Sequence, residues 1–282
     1  EMCIRDRFKP MFQRPSAQWE KILTKPLQKQ SKFLNKICKV NRRDRLVIRT
    51  AFFENLSFDL VKQIFKLVKD VIDADMMDFS FRDLIYDRLL GVSEIAHLYP
   101  VDKESEENII EGEEYHIYSA CYDDLDLVID FVNERSDINS VCDLGSGPGR
   151  SLLYLALKMN RELEYVGLEI INNRVEFTNA IAQDFGLKNL FFQTSNFLES
   201  PDDFLGFDAY YLFDPVGTDD VPLLISYFEK MIADGAKFYI MFISGWDELM
   251  LDALDNLASL EKINSVDSRK QLDRYVTFYK VI

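Results

Sequence analysis

Seven residues, Asp143-Leu-Gly-Ser-Gly-Pro-Gly149, lie between a short apolar run at 140–142 and a helix-like stretch at 151–159. The chain must therefore pass from a strand into a helix through a loop rich in glycine. Glycine lets the backbone approach a ligand where a side chain would collide, and the first turn of the helix offers unpaired N–H groups to polar or anionic atoms. A second apolar run over 164–170 ends in an acid, Glu169, followed by Ile170, and that acid lies twenty residues beyond Gly149. In a doubly wound sheet the end of the second strand lies beside the first loop, and an acid there accepts both hydroxyls of a ribose.

Dinucleotide-binding loops read G-x-G-x-x-G, which would require glycine at position 150; this chain has Arg150 there, and its third glycine comes one residue earlier. The spacing G-x-G-x-G opened by Asp143 resembles the first motif of the class I S-adenosylmethionine (SAM)-dependent methyltransferases, and the resemblance covers roughly residues 118–282. It implies SAM as cofactor. In that family the loop passes under the methionine part of the cofactor, and the opening acid supports the loop or, through water, the cofactor's amino group. Asp143, Gly145, Ser146, Gly147 and Gly149 match these positions one by one.

Downstream, strand and helix signals alternate. A helix is expected over 124–134, strands at 140–142, 164–170, 190–194, 208–213 and 237–243, and helices at 151–159, 173–185, 221–233 and 246–257. Two last runs, 260–266 and 275–282, lie close enough in sequence to pair as a hairpin. This pattern predicts an α/β fold: a doubly wound, mainly parallel seven-stranded sheet, with a closing hairpin that resembles the family's antiparallel edge. Ligands of such sheets bind beyond the carboxyl ends of the strands, where each of these motifs falls.

The resemblance extends to further site residues. After the third strand of this domain, Asn196 stands where the family carries an acid against adenine, followed by Phe197; an amide oxygen still accepts from the adenine amino group. A turn-forming Asn is the alternative. Ile170 is expected on the adenine face or in the core. Asp214 and Pro215 close the fourth strand, where amine-directed members present a polar side chain and a carbonyl to the substrate amine. Val216 and Gly217 replace the second proline and the stacking aromatic, which disfavours a flipped nucleobase and leaves protein or small-molecule amines as the favoured acceptors. Tyr118, in the segment before the domain's first helix, is expected to fold over the cofactor. The layout before the glycine loop is also loosely similar to Dot1-like protein-lysine methyltransferases, whose Tyr-Gly-Glu element and paired asparagines this chain lacks. Methyl transfer asks for alignment and exclusion of water, so the lack of a Ser-His-Asp set fits the reading. The two histidines, His97 and His116, do not suggest a metal site.

Charge is unevenly distributed along the 282 residues. Residues 1–50 hold 14 Lys or Arg against 4 Asp or Glu, whereas the whole chain carries a net charge of −15. A basic arm on an acidic body suits either nucleic acid, through residues 7–50, or an arm folded back on its own domain. The expected organisation is a helical extension over 7–99 covering the substrate side, an acidic linker over 100–114 and the methyltransferase domain over 115–282. Residues 1–6 resemble a translated transposon end of the kind joined to DNA during library preparation, and are read as foreign to the protein. Four scattered cysteines, no membrane-length apolar run and no secretory pattern predict a cytoplasmic protein without a membrane partner. Two other functions stay open: a nucleic-acid methyltransferase guided by the basic arm, and a non-catalytic SAM-binding protein.

Overall fold

Five-residue runs such as Tyr239–Ile243, buried at every position, form strands only where both faces of a sheet are covered. The computed structural model describes residues 15–40, 46–48, 56–76, 81–92, 120–244, 248–269 and 274–282. These fall into two units, Glu1–Ser93 and Glu94–Ile282.

The first unit holds helices α1 (Pro15–Leu23), α2 (Leu27–Ile37), α3 (Phe58–Asp73) and α4 (Phe81–Leu90), together with a two-stranded antiparallel ribbon, β1 (Cys38–Val40) and β2 (Leu46–Ile48). The ribbon was not expected; its second strand is Leu-Val-Ile, whose β-branched pair favours extended backbone over helix. Helix α3 starts at Ser57, whose side chain accepts from the Leu60 N–H at 3.4 Å. Its buried stripe is Leu60, Val61, Ile64, Phe65, Leu67, Val68 and Val71; Phe58 and Ile72 lie at the margin, half-buried. Tyr86 of α4 packs on Phe65 with ring centroids 4.1 Å apart, and its hydroxyl donates to the Phe65 carbonyl at 3.1 Å. Tyr86→Phe keeps the ring and removes that buried bond, so urea unfolding is expected to show a loss of about 1 kcal/mol.

The second unit opens with α5 (Tyr122–Asn133) and continues β3 (Ser140–Leu144), α6 (Arg150–Lys158), β4 (Glu164–Glu169), α7 (Asn172–Asp184), β5 (Leu190–Thr194), β6 (Ala209–Phe213), α8 (Val221–Ala233), β7 (Tyr239–Ile243), α9 (Glu248–Asp255), β8 (Leu260–Arg269) and β9 (Arg274–Val281). The sheet order is β5-β4-β3-β6-β7-β9-β8. The first five of these strands are parallel, while β9 runs antiparallel to both β7 and β8. Helices cover both faces. The order reverses between β3 and its neighbours β4 and β6, which makes the carboxyl end of β3 the crevice of the sheet. Beneath α8 lies an aromatic cluster, in which Tyr210 stands 5.5 Å from Phe228 and 5.2 Å from Phe238, both nearly edge-on.

Candidate functional site

The crevice at the end of β3 is built by backbone first. Gly145, Gly147 and Gly149 take φ values of +77°, +53° and +74°, a region that side-chain-bearing residues rarely enter. The loop is tied to the next strand, because the N–H groups of Gly145 and Ser146 both donate to the Leu168 carbonyl, at 3.0 and 2.8 Å. On its other side it meets the end of β6: a Cβ on Gly145 would lie 3.3 Å from both Cα and O of Pro215. A Cβ on Gly147 would meet nothing within 4 Å. The loop thus has one face wedged into the sheet and another opening outward.

Two carboxylates lie under this rim on adjacent strands. Asp143 is almost wholly buried, and its Oδ2 has no hydrogen-bond partner among the described residues. Burial, reinforced by the charge of Glu169, holds the Asp143 carboxyl well above the usual carboxylate range; a hydrogen bond from Ser151 pulls the other way. The buried hydroxyl of Ser146 is likewise without a partner among the described residues. Glu169 is also buried, and both of its contacts there fall on Oε1, which accepts the Ile171 N–H at 3.0 Å and lies 3.5 Å from Nη1 of Arg174. Oε2 makes neither of these contacts.

Ile170 is 46% exposed, so it does not serve the core. Asn196 closes a turn, its side-chain oxygen accepting from the Leu198 N–H at 3.3 Å and its carbonyl accepting from Glu199 and Ser200. Phe197 points inward and packs edge-on to Phe204 with centroids 6.2 Å apart. Asp214 is exposed and holds a left-handed φ of +44°, a conformation that Asp tolerates better than most residues. Pro215 abuts the Gly145 turn, as described. Tyr118 and the acidic segment 100–114 lie outside the described residues, as do residues 1–6.

Two residues were not anticipated from the sequence. Arg150, standing where a dinucleotide loop would have its third glycine, donates to the Ala120 carbonyl at 3.0 Å and lies over the Tyr122 ring at 5.2 Å, joining the start of α5 to that of α6. Arg174 is buried beside Glu169. Its position in the first turn of α7, five residues after the acid, was the available signal.

Residues 136–271 match a family described as a methyltransferase domain. These residues carry a methyltransferase domain. Membership of the family implies SAM as the methyl donor. The site fits that group: the partnerless Asp143 Oδ2 and Ser146 Oγ, the outward face at Gly147 and the apolar Ile170 beside Glu169 match a ligand with a cationic end, a ribose and a flat base. Solved structures similar to this chain include a methyltransferase from Geobacter sulfurreducens, 12% identical, covering 77% of this chain and 98% of its own with a TM-score of 0.49. A precorrin-6y C5,15-methyltransferase from Geobacter metallireducens GS-15 is 13% identical, covering 55% and 87%, with a TM-score of 0.42. An rRNA methylase from Streptococcus thermophilus is 14% identical, covering 55% and 95%, also at 0.42. No curated protein sequence matches the chain. Among the described residues, no helix is long and apolar enough to cross a membrane.

Proposed function

We propose that the methyltransferase domain holds SAM against the Gly145–Gly149 loop, with the ribose on Oε2 of Glu169, the adenine against Ile170 beside Asn196, and the amino group served through water by Asp143. The methyl acceptor is an amine of a protein or a small molecule. Bound SAM supplies a methyl group already activated by its sulfonium, so the chain's own work is alignment and exclusion of water.

The close approach of Gly145 to Pro215 is the observation that carries this reading, since it puts the fourth-strand motif at the rim of the cofactor loop. An amine held by the Asp214 carboxylate and the Pro215 carbonyl donates two hydrogen bonds, which leaves its lone pair directed at the rim. The left-handed backbone of Asp214 supports the assignment, because strain of this kind is kept where surrounding structure and use require it.

Glu169→Ala is expected to weaken SAM binding by about 1–3 kcal/mol in calorimetry, since the ribose hydroxyls lose a charged acceptor. Asp214→Ala is expected to lower turnover more than SAM affinity; equal loss of both would mark Asp214 as structural. The acceptor class is tested with labelled SAM on fractionated lysate: label in protein or small-molecule amines supports the proposal, and label confined to RNA or DNA overturns it.

One observation favours a nucleic-acid acceptor instead. Lys29, Lys32 and Lys36 are all exposed, and at helical spacing they lie on one side of α2. Phosphate contacts through such a stripe would make affinity for RNA fall steeply with salt. Binding that is weak and insensitive to salt removes this second reading.

A further inference from the structure

Two buried acids side by side resist being charged together. Asp143 and Glu169 occupy adjacent strands, each is at most 5% exposed, and the charge of Glu169 already disfavours ionisation of Asp143. A site that takes a cationic cofactor and a ribose needs both as carboxylates, and burial opposes that unless a positive charge is buried with them. Arg174 is the cation paired with Glu169: it is 6% exposed, and Nη1 lies 3.5 Å from Oε1 of Glu169. The pairing is not the two-bonded fork that an arginine and a carboxylate form when geometry is optimised for the pair alone. Both Nε and Nη2 of Arg174 are buried with no partner among the described residues. Their burial is tolerated although unpaired donors are costly, which points to a use for the charge beyond local bonding.

We propose that Arg174 is a positioning residue for the cofactor: it pins Oε1 of Glu169 so that Oε2 faces the ribose. This rests on the SAM site proposed above.

The test is SAM calorimetry on the full chain with Arg174→Met, Arg174→Lys, Glu169→Gln and the Arg174→Met/Glu169→Gln double variant, each divided by wild type at the same pH. Arg174→Met is expected to bind about tenfold more weakly or worse, whereas Arg174→Lys, which keeps a cation beside Oε1, is expected to stay within about threefold. The double variant is expected to bind no more weakly than Glu169→Gln alone. Arg174→Met that binds like wild type, or Arg174→Lys that binds as weakly as Arg174→Met, overturns the proposal. If Arg174→Met fails to fold, the double variant decides, because it leaves no lone buried charge: binding weaker than that of Glu169→Gln overturns the proposal. Failure of the site reading itself looks different, since Glu169→Gln would then bind SAM as wild type does.

Discussion

Asp143→Asn is expected to stabilise the cofactor-free protein while weakening its hold on SAM, two effects of opposite sign from one atom change. The carboxyl sits under the glycine loop with Oδ2 unpartnered among the described residues, and its pKa is held well above the ordinary value by burial first and the charge of Glu169 second. A group raised in this way contributes stability that is fully present below its unfolded pKa and is lost as pH rises through the folded one. The wild-type protein should therefore lose stability from the ordinary Asp range upward, through the window in which Asp143 is forced to ionise. Asparagine has nearly the same shape and no charge to bury, so that loss should be absent, and the gain near neutral pH should be about 1–3 kcal/mol. Binding shows the reverse. A cation beside Asp143 rewards its ionised form, so the variant should bind SAM more weakly by about 1.5–3 kcal/mol, and wild-type affinity should rise with pH where the variant's does not. Urea unfolding between about pH 4 and pH 8 and calorimetry over the same range check both halves. A variant that loses stability and keeps its affinity would show Asp143 to be a structural prop of the loop.

The strand Leu190–Thr194 and the helix Val221–Ala233 lie where periodicity and turn residues put them. The antiparallel pairing of β8 with β9 was likewise legible, although β8 runs to Arg269 and the sequence pattern fades after Val266. Helix α7 shows where legibility stops. Its inward residues are Arg174, Val175, Thr178 and Ala182, so half of its buried face is polar and no apolar stripe announces which side turns to the sheet. That an arginine is buried there depends on an acid from another element, and pairings across elements leave no local mark in sequence. Phe197 is a similar case, since the aromatic cluster that draws its ring inward is assembled from Phe204, Tyr210 and Phe228, all distant from the loop motif. The glycine loop itself was readable because its backbone requirement is written in residue type.

That requirement is stricter than the turn alone demands, and Gly149→Ala is expected to be among the most damaging single changes in the domain. Gly149 is the N-terminal cap of α6 at φ +74°, where any side chain is strained by about 1–2 kcal/mol. A Cβ there would also lie 2.8 Å from Cζ and 2.9 Å from Cε1 of Phe192, and would run into the Cγ2 methyl of Thr178. Gly167 on β4 faces the same ring, since a Cβ at that position would sit 2.5 Å from Cδ1 of Phe192. Phe192, buried at 5% exposure, is thus a wedge that both glycines are emptied to receive, and it sets the distance between the loop and the sheet. Overpacking costs about 1–3 kcal/mol on top of the backbone strain, so Gly149→Ala should lose about 2–5 kcal/mol of stability. Gly167→Ala, with no left-handed backbone, should lose only the overpacking part. In a background of Phe192→Leu the penalty of Gly167→Ala should shrink to the contact with Ser146 Cβ, 2.9 Å away, whereas Gly149→Ala should keep its backbone strain and its clash with the Thr178 methyl. Denaturant midpoints of the five variants, the three single changes and the two doubles with Phe192→Leu, measure this, and SAM calorimetry on the folded ones reports whether the loop has kept its seat. Additive losses across the Phe192 background would mean that the ring yields to either methyl, and that the spacing of loop and sheet is set elsewhere.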